Sequence, residues 1–154
     1  MKKIIAVVSL MTLVVFNSCS ENKGEHANKE VATQQDDNAK KDRVVIYDFH
    51  SEHRCVTCIA IEKAVKDVIH KHFEKQFEEG IIEFELLNCE SEENKDLVDK
   101  YGAFGTTLIV SMVKDGKELK SDDLTNWAFE KVDTDAFETE LVDELNDALD
   151  QLKH

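Results

Sequence analysis

The stretch FHSEHRCVTCIAIEKAVKD, residues 49–67, closes an apolar run, carries two cysteines separated by two residues, and then takes up a helical pattern. The run it closes, RVVIYDFH at residues 43–50, is rich in β-branched and aromatic side chains and nearly continuous in its apolar positions, which suits a strand covered on both faces. Beyond the cysteines, Ile61, Val65, Val68, Ile69, Phe73 and Phe77 fall on one stripe of a helix. Glu62, Lys63, Lys66, Asp67, Lys71 and Glu74 fall mostly opposite, and Gly80 marks the end region. Cys55 and Cys58 therefore belong where a strand gives way to a helix. At such a junction the free amide N–H groups and the positive end of the helix dipole favour a thiolate at Cys55, and Arg54 and His53 add positive charge if they face it. Cys58, one turn further in, is expected to be more buried and near enough to close a ring. That arrangement suits thiol–disulfide exchange, with Cys55 as nucleophile and Cys58 as resolver.

Working outward, IIEFELLN at residues 81–88 reads as a second strand, and Ser91 offers half of a capping box with the amide of Asn94 for the helix that follows. Gly102 is placed to stop that helix. TTLIVSMV at residues 106–113 is a third strand, and Asp115-Gly116 is the pair expected of a tight hairpin turn into a short edge strand at residues 118–120. Leu124, Trp127 and Phe129 require local burial, and a last helix over residues 134–153 carries Phe137, Leu141, Leu145 and either Leu149 or Leu152 on one side. The order β-α-β-α-β-β-α implies a right-handed parallel crossover followed by an antiparallel hairpin, hence an α/β fold with one mixed four-stranded sheet and helices on both faces.

The 154 residues suggest one domain. Lys2 and Lys3 precede an uncharged, mostly apolar run at residues 4–16, too short to cross ~30 Å of hydrocarbon, which takes about 20 residues. Residues 1–18 read as an export signal, and Asn17-Ser18-Cys19-Ser20 resembles a bacterial lipobox, in which Cys19 becomes the lipidated first residue. Residues 19–42 are polar and aperiodic, as in a flexible tether, which leaves residues 43–154 for the domain. This predicts a protein of the cell envelope, lipid-anchored and periplasmic or surface-exposed. With 33 acidic against 19 basic residues and a net charge of −14, nucleic acid is excluded as a partner.

The run YDFHSEHRCVTC resembles the thioredoxin motif V-D-F-W-A-E-W-C-G-P-C with one residue inserted, and the element order covers residues 43–154 in the same way. More closely, Y-x-F-H…R-C-x-T-C-x-x-I-E followed by L-V-x-K-Y resembles the ArsF family, described as a nitrophenyl compound nitroreductase subunit. The resemblance implies a thioredoxin-like three-layer sandwich with a redox-active pair. It also implies that Asp48, one acid in an otherwise apolar strand, accepts the proton of the resolving cysteine. Two positions depart from the thioredoxin pattern: Thr106 stands where a cis-proline falls, and the loss of that proline leaves room for an ion at the pair, while Arg54 replaces a tryptophan of the docking surface. No phosphate-binding glycine loop is present to hold a flavin, so no cofactor is expected.

Cys89 follows the second strand and, if that strand lies parallel to the first, ends at the same sheet edge as the pair. It is either a third thiol or a small packed hydrophobe. His50 and His53 flank the cysteines. Three readings stay open: a membrane-tethered thiol–disulfide oxidoreductase acting on protein or small-molecule thiols and disulfides with a separate electron donor or acceptor; a soft-metal or metalloid module binding Cu(I), Zn or arsenite through Cys55, Cys58, Cys89 and His50; or a non-catalytic partner subunit.

Overall fold

The computed structural model describes residues 41–154. The expected export signal, Cys19 and nearly all of the tether lie outside these residues. Strand β1, Arg43–His50, is followed by helices α1, Val56–His72, and α2, Glu74–Glu78, and then by β2, Ile82–Asn88. Helix α3, Lys95–Tyr101, leads to β3, Thr107–Lys114, and β4, Lys117–Asp123, after which α4, Thr125–Lys131, and α5, Ala136–Leu152, complete the chain. The sheet order is β2-β1-β3-β4, with β1 parallel to β2 and antiparallel to β3, and β3 antiparallel to β4.

Side chains alternate across β1. Val44 and Ile46 face a main core built with Ile61, Val65, Val68, Ile69 and Phe73 of the α1 side, Ala128 of α4, and Phe137, Leu141 and Leu145 of α5. Phe49 faces the other way and joins Val98, Ala103 and Ile109 under α3. The sheet thus carries helices on both faces, as the sequence implied, and β3 is buried along almost its whole length and β1 along most of it because both lie inside the sheet.

Four local expectations change. The single long helix breaks at Phe73 (φ −132°, ψ 18°), which keeps this ring in the core while Phe77, expected on the same stripe, turns outward and is half exposed. Ser91 makes no side-chain cap. Its carbonyl instead accepts from Asn94 N at 3.0 Å in a 3-10 turn over Glu92–Asn94, and α3 begins only at Lys95. The edge strand extends from Lys117 to Asp123, and its charged sequence suits an edge that must not pair further. It is pinned by Glu118, which accepts from Ser111 Oγ and Lys100 Nζ, both at 2.7 Å, and from the Tyr101 hydroxyl. Finally, residues 125–131 form a helix, with Thr125 N donating to Asp123 Oδ1 at 2.9 Å. Leu124 and Trp127 pack against the core as expected, but Phe129 lies on the outer side of the turn and Ala128 takes the inward place.

The turn residues behave as their types require. Asp115 and Gly116 both have positive φ, 52° and 75°, which matches the twist of the β3–β4 hairpin. Gly102 caps α3 in the left-handed region (φ 62°), and Ala103 N closes the turn on Val98 O at 2.9 Å. A Cβ added at Gly102 would meet no atom within 4 Å, so the cost of Gly102→Ala is the backbone term alone. It should lower stability by about 1 kcal/mol, read as a lower urea midpoint at unchanged slope, with Gly102→Asn losing less.

Candidate functional site

Strand β1 ends at His50, four residues turn the chain, and Cys55 takes the N-cap of α1 in an extended conformation (φ −77°, ψ 161°). Cys55 and Cys58 are joined in a disulfide with their Cα atoms 5.1 Å apart. The Cys58 amide donates to Cys55 Sγ at 3.0 Å, so the cap is made by sulfur where serine or aspartate is the usual acceptor. No acidic side chain occupies the first turn, leaving the dipole there unopposed, while His70, Lys71 and His72 complement its other end. Cys55 is exposed and Cys58 is 6% exposed, so one sulfur faces solvent and the other lies behind it.

Thr106, in the loop before β3, reaches the pair directly: its hydroxyl donates to Cys58 Sγ at 3.1 Å. No cis peptide occurs among the described residues, the one before Thr106 included. The place where the resemblance implied a rigid proline is therefore held by a hydrogen-bond donor in contact with the inner sulfur.

Asp48 lies on the α1 side of β1, between Leu86 of β2 and Leu108 of β3, and is 1% exposed with Oδ2 lacking any partner. Burial, opposed by Arg54 and reinforced by Glu62, raises its pKa from 3.8 to about 6, with His50 and Lys66 as smaller lowering influences. Arg54 does not stand on the docking surface in place of a tryptophan. Its Nη1 donates to Glu62 Oε2 at 2.5 Å, and Nε and Nη2 are buried without partners. Glu62 also receives Lys66 Nζ, and the Lys66 and Arg54 hydrogen bonds hold its carboxyl below the usual range. Glu62 and Lys66, read as solvent-facing, are thus part of the site's charge balance.

His50 Nδ1 lies 2.9 Å from Ser51 O, and His53 is exposed in the turn with its carbonyl accepting from Ser51 Oγ at 3.1 Å. Cys89 N donates to His50 O at 2.8 Å, which does set Cys89 at the same sheet edge as the end of β1. Its side chain packs on the Phe49–Val98 cluster, and burial followed by the charge of Glu90 pushes its thiol pKa up. Packing as a small hydrophobe describes it better than a third reactive thiol. Among the described residues no three His, Cys, Asp or Glu side chains gather as a metal group, so the set Cys55, Cys58, Cys89 and His50 is not assembled.

The sequence reading missed the exposed apolar side chains that neighbour the cysteines and Thr106 along the chain. Val56 and Ile59, which directly follow the two cysteines, are 86% and 51% exposed, and Phe104, two residues before Thr106, is 78% exposed. Their signal was present: all three stand outside the core stripes.

The strand order and the disulfide at the start of α1 define a thioredoxin-like domain with a Cys-x-x-Cys pair, an arrangement suited to thiol–disulfide chemistry. Among solved structures, the thioredoxin of Fasciola hepatica is similar at 22% identity with a TM-score of 0.43, over 72% of this chain and 86% of that one. A malarial protein is similar at 16% identity with a TM-score of 0.36, over 58% and 94%. No protein-family model and no curated protein matches the chain.

The buried carboxyl has a measurable consequence. Because its pKa is raised on folding, the stabilisation it contributes is complete below about pH 4 and is lost as pH rises through about 6. Asp48→Asn has no charge to bury, so thermal unfolding should show it about 3 kcal/mol more stable than the parent well above pH 6, with the gap closing in acid.

Proposed function

We propose that this protein is a thiol–disulfide oxidoreductase tethered at the cell envelope through a lipid on Cys19, exchanging electrons with partner proteins. The asymmetry of the pair carries the reading. The exposed Cys55 sulfur accepts an N–H at a helix start, and the covered Cys58 sulfur lies one turn behind it.

In the reduced protein the Cys55 thiolate attacks a substrate disulfide, forming a mixed disulfide and releasing one substrate thiolate. Asp48, ionised, takes the proton of Cys58, and the Cys58 thiolate then attacks Cys55 Sγ. The substrate leaves as its second thiolate, and the Cys55–Cys58 disulfide is restored. Two electrons pass from the pair to the substrate, and the reverse sequence oxidises a dithiol. The direction in the cell depends on the couple that the partner presents. Helix-start amides lower the energy of the Cys55 thiolate, and the Thr106 hydroxyl is positioned to donate to Cys58 sulfur as it becomes anionic.

Exposed Val56 and Ile59, next in the chain to the two cysteines, and Phe104, two residues before the Thr106 that touches Cys58, support a protein substrate, because large apolar side chains left in water near a reactive centre are what a docking partner covers. The resemblance to the ArsF family supports the same redox pair. A nitroreductase step of its own would need a flavin, for which the sequence has no glycine phosphate loop.

Cys55→Ser should abolish reduction of a disulfide substrate, and Cys58→Ser should accumulate mixed disulfides visible on a non-reducing gel. Exchange that survives Cys55→Ser would overturn the assignment, as would tight stoichiometric arsenite or Cu(I) binding by a reduced protein that exchanges nothing. Phe104→Glu should slow reduction of a folded disulfide protein several-fold more than that of a small disulfide; equal effects on both would argue against protein docking.

A further inference from the structure

Arg54 precedes the nucleophilic cysteine, and its side chain turns inward instead of toward a substrate. One guanidinium nitrogen is fixed by Glu62, whose other oxygen is held by Lys66, and two more nitrogens, Nε and Nη2, are buried without a partner. The buried oxygen Asp48 Oδ2 also has no partner. No hydrogen bond joins the two, but buried polar groups of native proteins are nearly always satisfied, so a largely buried cation with spare donors and a buried acid with a spare acceptor, both packed where α1 meets β1, are complementary in charge. Among the charges acting on Asp48, Arg54 is the foremost. The other charged or titratable groups facing it are Glu62 and Lys66 from α1 and His50 from its own strand, while Leu86 and Leu108 flank it across the sheet.

From this we infer that Arg54 is a positioning residue of the redox site: clamped by Glu62, its guanidinium stabilises the ionised, proton-accepting form of Asp48 and thereby sets the pH range in which Cys58 is released as a thiolate. The inference rests on the exchange reading above, but its first test does not. Glu62 supplies the clamp because a guanidinium free to reach water would be screened from the acid. The anion would then have only Lys66 and His50 against its burial. Lysine at position 54 keeps the charge and loses the fork, so it replaces the arginine only in part.

In the oxidised protein, where the pair is closed and no exchange takes place, the Asp48 carboxyl is titrated by carbon NMR. Arg54→Gln should raise its midpoint by about 1 unit or more, a tenfold or greater gain in proton affinity, and Arg54→Lys should recover part of the shift. Both variants should fold, since the glutamine removes a buried charge whose donors are incompletely used. In the reduced protein the pH profile of exchange should move upward with Arg54→Gln and should not move when the same change is made on Asp48→Asn. An unmoved Asp48 midpoint overturns the inference, as does a profile shift that persists without Asp48, which would mean that Arg54 acts on the sulfurs themselves. A shifted midpoint in a protein that exchanges nothing would sustain the Arg54–Asp48 coupling and sink the oxidoreductase reading instead.

Discussion

The Cys58 amide donating to Cys55 Sγ is the contact on which the rest of the site depends, because it fixes where α1 begins relative to the end of β1. Were the helix to start one residue earlier or later, the cap would be Arg54 or Val56, and the two sulfurs would rotate about the axis by roughly 100°. The start is held from both sides. β1 is locked between β2 and β3 up to its last residues, and the apolar stripe of α1 locks the helix rotation against the same sheet. A sulfur at the cap and a sulfur under the first turn are then consequences of spacing, and their difference in exposure needs no further device.

Much of this fold could be read from side-chain periodicity. The strands, the Asp115-Gly116 turn and the Gly102 stop were legible because each depends on residues close together in the chain, and the parallel crossover followed from the order of those elements. The break at Phe73 was not. Periodicity says which face a residue belongs to, and Phe73 and Phe77 share a face only if the helix stays continuous, which the packing of Phe73 decides. Helix α4 escaped for the opposite reason: its seven residues are too few for a stripe, and its anchors lie elsewhere, in Leu108 N donating to Thr125 Oγ1 at 3.0 Å and in the stacking of Trp127 on Phe137.

Cys55, Cys58 and Thr106, which meet at the start of α1, were singled out by motif and resemblance, and the buried Asp48 by the oddity of an acid in an apolar strand. The Arg54–Glu62 pair was not, since the two residues are separated by a turn and two helical windings and obey no short-range pairing rule. That pair alters the character of the surface near the disulfide. By drawing the cation inward it leaves the exposed apolar side chains Val56 and Ile59 as the immediate chain neighbours of the two cysteines.

The single tryptophan of the chain is Trp127, in α4, stacked on Phe137 at 4.8 Å between ring centroids and donating from its indole nitrogen to Glu140 at 2.7 Å. Both partners belong to α5. Ultraviolet emission from this protein is consequently a gauge of whether the C-terminal helix is seated, and a change in that signal on denaturation reports the undocking of α5 from α4.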